Sequence, residues 1–174
     1  MIIIDSQLWI FYLDPLSKEN PHVVLWFDGS QKSGILKTEE IGLSAIFPLE
    51  VAHTLYKIPH LNQELSEKML LSLISIKNIQ ILELDQFIML NALNHLRNFG
   101  NKGIGGRDAI IISTMDLHQI NTIATHDKGI LRLNHLRRID PVFDPPMILE
   151  PGEIFDENVF AKRMCEFDSI LPTL

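Results

Sequence analysis

Asp5, Glu50, Asp108 and Asp127 are the residues whose type and setting suit chemistry, because each adjoins an apolar run whose backbone belongs in a core. Asp5 follows Met1-Ile2-Ile3-Ile4, and Glu50 lies within Ile46-Phe47-Pro48-Leu49-Glu50-Val51-Ala52. Asp108 opens Asp108-Ala109-Ile110-Ile111-Ile112, and Asp127 closes Thr122-Ile123-Ala124-Thr125-His126-Asp127. Carboxylates gathered within roughly 4 to 6 Å repel one another, and without a counter-charge one or more of their pKa values rises. A hard divalent cation reverses that logic: Mg²⁺ or Mn²⁺ prefers oxygen ligands and keeps some of its waters. Such an ion lowers the pKa of a water and neutralises a phosphodiester during in-line attack. Metal-dependent phosphodiester hydrolysis is the reaction this set of residues fits.

Each acid also has a structural use that the sequence leaves open. Asp108 could cap a helix, Asp127 could initiate the turn after a strand, and Glu50 could pair with His53 or Lys57 along its helix. Asp5 is harder to explain away, since a carboxylate directly after a buried run wants a partner.

The elements that must carry these acids follow from periodicity. Residues 1–4 read as a buried strand ending at Asp5, and Ser6 to Leu13 as a short helix closed by Asp14-Pro15. His22 to Phe27 reads as another helix, Gly29 to Lys37 as a polar loop, and Ile41 to Ile46 as extended chain. A helix begins at about Pro48, a favoured first-turn residue, and runs to Lys57. Leu65, Met69, Leu70, Leu73 and Ile76 have the spacing of an amphipathic helix over 62–76. Ile79 to Leu82 is predicted as a strand and Asp85 to Arg97 as a helix. Gly100, Gly103, Gly105 and Gly106 then interrupt the pattern before an apolar helix from Arg107 to Leu117. Thr122 to Thr125 and Leu136 to Ile139 complete the strands. Strands separated by helices imply an α/β fold with a parallel sheet covered on both faces. Ligands of such sheets bind beyond the carboxyl ends of the strands. All four acids are therefore expected on one rim.

Composition bounds the rest. The chain has 174 residues, 46% of them hydrophobic, enough for one cored domain with a small appendage. No stretch reaches a bilayer span and the first residues have no signal-peptide pattern, so the expectation is a soluble, cytoplasmic protein without membrane association. Cys165 is the only cysteine, which excludes an internal disulfide and a thiolate cluster. The formal charge of -7 argues against a protein that coats nucleic acid by bulk electrostatics. It leaves room for an enzyme that grips phosphates locally. Lys128, Arg132, Arg137 and Arg138 follow Asp127 closely, and Lys128, Arg132 and Arg138 are the candidate substrate contacts; a solvated helix face is the plainer reading of the same charges.

Taken together, Ile-Ile-Ile-Asp5-Ser6, Leu49-Glu50-Val51, Arg107-Asp108-Ala109-Ile110-Ile111-Ile112 and Thr125-His126-Asp127-Lys128-Gly129-Ile130 resemble the PIN-domain nucleases, in particular VapC-type toxins and related archaeal-style PIN proteins. The resemblance covers about residues 1–142. It implies a PIN-like α/β/α sandwich with a central parallel sheet of four to five strands and an endoribonuclease dependent on Mg²⁺ or Mn²⁺. It further implies RNA as substrate, frequent homodimerisation and, for a toxin, a small antitoxin protein covering the acidic rim. Position by position, Asp5, Glu50, Asp108 and Asp127 match the family's acidic quartet as catalytic and metal-binding residues. Thr125 matches the hydroxyl residue two before the last acid, and Ser6 adjoins the first, both in supporting roles. Asp116, more than two helical turns from Asp108, is left out of the set.

Against the compact toxins, residues 14–40 stand as an insertion, and residues 143–174 as an appendage with a helix from about Asp156 to Phe167. Other readings fit less well. The glycines of 100–106 follow no strand and precede no Gly-Lys-Ser/Thr, so they make no dinucleotide or P-loop fingerprint. A haloacid-dehalogenase-type phosphatase needs an acid where Gln7 stands. His126 is expected at the rim or in solvent rather than as a ligand. The competitor from another class is a non-catalytic binding or assembly protein in RNA processing.

Overall fold

The computed structural model describes residues 1–29 and 33–170, with the side chain of residue 170 left aside. Six strands form one sheet: β1 (Ile2–Ile4), β2 (Ile41–Ser44), β3 (Ile79–Leu82), β4 (Thr122–Ala124), β5 (Arg137–Asp140) and β6 (Met147–Leu149). Their order is β3-β2-β1-β4-β5-β6, and only the β5–β6 pair is antiparallel. The expected four to five strands therefore become six. Met147-Ile148-Leu149 is too short and too closely bracketed by Pro146 and Pro151 to show a strand's alternation in the sequence.

The connections are helical. Helices α1 (Ser6–Leu13), α2 (Asn20–Asp28) and α3 (Ile35–Thr38) link β1 to β2, and α4 (Phe47–Leu55) and α5 (Gln63–Ile74) link β2 to β3. Helices α6 (Gln86–Phe99) and α7 (Gly106–Leu117) cross from β3 at the edge to β4 beside β1. One turn, α8 (Lys128–Leu131), leads to β5, and α9 (Glu157–Ile170) ends the described chain. The polar loop expected over 29–37 holds α3 at its end, and residues 30–32 of it lie outside the described residues.

Two apolar layers enclose the sheet, because successive strand side chains point to opposite faces. Ile2 and Ile4 join Trp9, Phe27, Phe47 and Val51 on one side. Ile3 and Ile123 join Ala109, Ile112 and Met115 on the other. Val23 and Phe27 of residues 14–40 are fully buried, with Phe27 edge-on to Trp9, so this segment fills one layer. The C-terminal segment forms a third cluster of Phe143, Phe155 and Phe160 on Leu131, while Phe167 reaches the first layer. Among the described residues no helix is long and apolar enough to cross a membrane.

Arg138 departs most from its expected role. It is fully buried, and its guanidinium donates from Nε to the Leu136 carbonyl (2.9 Å), from Nη1 to Leu131 (2.7 Å) and from Nη2 to Glu150 (3.1 Å) and Glu153 (2.9 Å). A side chain so enclosed cannot meet substrate. Its position in a basic run suggested a surface contact, but strand alternation turns it inward, where four carbonyls replace its hydration.

Candidate active site

The strand order reverses direction between β1 and β4, and at such a switch point the connections leave on opposite sides and open a crevice. Asp5 follows β1 at this crevice, and its backbone N–H bonds the carbonyl of Ala124 at the end of β4 (3.0 Å). Thr125 and Asp127 follow β4. Glu50 stands in the first turn of α4, just after β2, and Asp108 in the first turn of α7. All four predicted acids, with Ser6, line one cleft of about 310 Å³.

Each carboxylate is held by a specific partner. Asp5, only 7% exposed, accepts at Oδ2 from the hydroxyl of fully buried Thr125 (2.7 Å). That same hydroxyl oxygen accepts the backbone N–H of Asp127 (3.0 Å), so Thr125 ties two of the acids together. Asp127 caps α8, taking the N–H groups of Gly129 (2.6 Å) and Ile130 (3.3 Å) on Oδ1. Asp108 takes the N–H of Gly105 on Oδ2 (2.7 Å). The Ser6 hydroxyl lies 3.4 Å from Asp5 Oδ1. The structural uses open to Asp108 and Asp127 are thus realised, and each leaves carboxylate lone pairs for the cleft.

Burial pushes the Asp5 carboxyl above the ordinary range; the Thr125 bond works against the rise, and repulsion from Asp127 and Glu50 adds to it. Glu50 is raised by burial and by Asp108, against the pull of Arg107 and Ser6. Asp108 is raised by burial and by Asp127 and Asp5, against Gly105 and Arg107. The acids therefore feel one another.

Sequence reasoning passed over three polar lining residues, Arg107, Gln7 and Thr54. Arg107 Nη1 lies 3.3 Å from Glu50 Oε1 while the Arg107 side chain stays 74% exposed. A signal existed: a cation in the first turn of a helix opposes the macrodipole and so needs another reason to be there. Of the expected substrate contacts, Lys128 is exposed beside the cleft, Arg132 is half-buried on the next groove, and Arg138 is excluded by burial. His126 lines that groove, but its Nδ1 is bound to buried Asp140 (2.7 Å) rather than to solvent. Asp116 pairs with His95 (2.7 Å) away from the cleft.

Among the described residues no three acidic, histidine or cysteine side chains already grip a common point. A hexahydrate-forming ion does not require that, since Mg²⁺ is commonly held by one or two carboxylates and retains several waters. The donor set is all oxygen and mutually repelling, which fits a hard divalent ion and not a soft one.

Close approach of the backbone keeps this corner in shape. A Cβ on Gly129 would stand 2.8 Å from the Gly103 carbonyl and 2.9 Å from Asp127 Oδ1. Gly129→Ala is therefore expected to cost about 1–3 kcal/mol of stability and to displace Asp127. Thermal unfolding with a cleavage assay checks this, and a variant like wild type in both would show that the loop over α8 yields freely.

A family model described as PIN domain matches residues 2–136. Among solved structures, FitAcB from Neisseria gonorrhoeae is 23% identical, covering 81% of this chain and 98% of that chain at a TM-score of 0.58. VapBC2 from Rickettsia felis, bound to a DNA fragment from its promoter, is 17% identical, with coverage of 79% and 97% and a TM-score of 0.57. Mycobacterium tuberculosis VapC20, a sarcin-ricin loop cleaving toxin, is 10% identical, with coverage of 71% and 87% and a TM-score of 0.58. At these identities the likeness is one of fold. Among curated proteins the sequence has no match.

Proposed function

The chain belongs to the PIN-domain family, and from that premise we propose that it is an endoribonuclease dependent on Mg²⁺ or Mn²⁺ that hydrolyses RNA phosphodiesters. One observation carries the reading: four acids from four separate segments converge on the switch-point cleft, three of them raised in pKa by burial and by one another. A domain without a cation to bind has no use for such repulsion.

In this reading Asp5, Glu50, Asp108 and Asp127 would hold the ion between them, one or two directly and the others through its waters, and the ion would supply charge neutralisation at the phosphate and a water of lowered pKa. Thr125 orients Asp5 and the Asp127 backbone together. Ser6 supports Asp5, and Arg107 partly offsets Glu50. Lys128 and Arg132 take phosphates beside the cleft. A toxin role with a small antitoxin partner is supported by VapBC2, FitAcB and the toxin VapC20 among the structural neighbours. Homodimerisation is supported by the apolar side chains left exposed on α6, among them Phe87 (64%), Leu90 (60%) and Leu93 (60%).

The test is cleavage of a panel of single-stranded and structured RNAs with Mg²⁺, with Mn²⁺ and with EDTA, using wild type and Asp108→Asn. Metal-dependent cutting lost in the variant is the expected result. Thermal stability should rise with the activating ion, by about 2.7 kcal/mol at a hundred times its Kd. No cutting and no response to either ion would overturn the reading in favour of a non-catalytic binding protein. A neighbouring small reading frame whose product co-purifies with the chain would mark the toxin role, and light scattering of the purified chain would read self-association.

A further inference from the structure

A second groove, of about 470 Å³, runs on from the acidic cleft and shares Gln7 and Asp127 with it. Its far wall is Phe160 and Met164 of α9, a helix beyond the last residue of the family match. Lys128 and Arg132 border it. The Lys128 Nζ sits 4.9 Å above the Phe160 ring, and among the described residues it has no carboxylate within salt-bridge reach. Arg132 is fixed from two sides: Nη1 donates to the Lys102 carbonyl (3.2 Å), while Nε and Nη2 both donate to one oxygen of Glu157, at 3.1 and 2.8 Å.

Two physical points follow. A guanidinium that offers two N–H groups to one anionic oxygen presents them as it would to a phosphate oxygen, so Glu157 occupies a phosphate's place. The chain is also acidic overall, at -7, and its cleft is lined by carboxylates, so a polyanion has to be held by cations flanking the cleft. Arg107 lines the cleft itself, and Lys128 with Arg132 the adjoining groove.

We propose that this groove holds the RNA strand on one side of the scissile bond, with Lys128 and Arg132 on its phosphates, and that Glu157 limits this binding by occupying Arg132. The proposal rests on the ribonuclease reading for the identity of its ligand. It gives α9 a role in substrate affinity, and it makes Glu157, 60% exposed, a residue that substrate displaces.

The test is fluorescence anisotropy of a labelled 12-nucleotide single-stranded RNA of mixed sequence. Full-length protein in an Asp5→Asn background with Mg²⁺ reads binding without cleavage. Glu157→Gln should tighten binding about threefold or more. Lys128→Ala and Arg132→Ala should weaken it, each lowering the salt slope by about 0.7, the value for one phosphate of a single strand. Glu150→Gln is the control, since it removes the same charge beside Arg137, away from the groove, and should change little. Unchanged or weaker binding in Glu157→Gln, or equal tightening in Glu150→Gln, would overturn the proposal. Its failure is separate from that of the ribonuclease reading. A wild type that cuts RNA while Glu157→Gln binds like its parent removes only the groove's role. Tightening by Glu157→Gln in a chain that never cuts removes only the nuclease.

Discussion

Asp5→Asn is expected, on the proposed ribonuclease reading, to abolish metal-dependent cleavage, by at least ~100-fold, while leaving the metal-free protein as stable as wild type or more so. The activity loss follows from position: Asp5 lines the cleft at the switch point, and even residues that only support metal ligands are worth 10–100-fold. The stability gain follows from burial. The Asp5 carboxyl is 7% exposed and raised in pKa by that burial, so folding of the metal-free protein disfavours its charged form. Asparagine keeps an oxygen for the Thr125 hydroxyl and removes that charge.

The pH dependence has a definite sign. Asp5, Glu50 and Asp108 all have folded-state pKa values above their ordinary ones, so between the unfolded and folded values the folded protein binds more protons. Stability of the metal-free protein is then fullest below the ordinary carboxylate pKa and declines as pH rises through the raised values. Thermal unfolding in EDTA across pH 4 to 8 should show that decline, flattened in Asp5→Asn and opposed in wild type by the activating ion. A variant that unfolds at neutral pH would make Asp5 an anchor for Thr125, and one that cuts at the wild-type rate would remove it from the site.

The second large effect is on folding. Arg138→Ala leaves the carbonyls of Leu131 and Leu136 without their donor in the interior, and those of Glu150 and Glu153 without theirs at its edge. Orphaned buried groups cost about 1–3 kcal/mol each when relaxation and water do not relieve them. A net loss of about 3–5 kcal/mol is expected, as for other buried charged networks broken on one side. Against a total stability of about 5–15 kcal/mol, the melting temperature should fall by roughly 10 °C or more. Arg138→Lys should recover little, because one ammonium cannot span carbonyls reached by Nε, Nη1 and Nη2. RNA binding of the protein that remains folded should stay at the wild-type level. An unchanged melting temperature with weakened RNA binding would return Arg138 to the substrate path.

Much of this molecule is legible in one dimension because its signals are local. The helix Ser6 to Leu13 has the predicted bounds, and Ile79 to Leu82 is the predicted strand, since periodicity and flanking breakers act within a few residues. The acids stand out for a related reason: a carboxylate beside a run that must be buried is conspicuous wherever the chain later carries it. The sequence by itself thus determined an α/β chain and the acids that meet at one rim. Tertiary structure alone decided what long-range contacts decide. Strand alternation and a turn at 150–153 enclosed Arg138 while Lys128, in the same basic run, stayed in solvent. Thr125 joined Asp5 across 120 residues of chain. Glu157 met Arg132 only because the third aromatic cluster holds α9 against α8. Burial, and the partner a charge finds, depend on residues far away in sequence, and no local pattern encodes them.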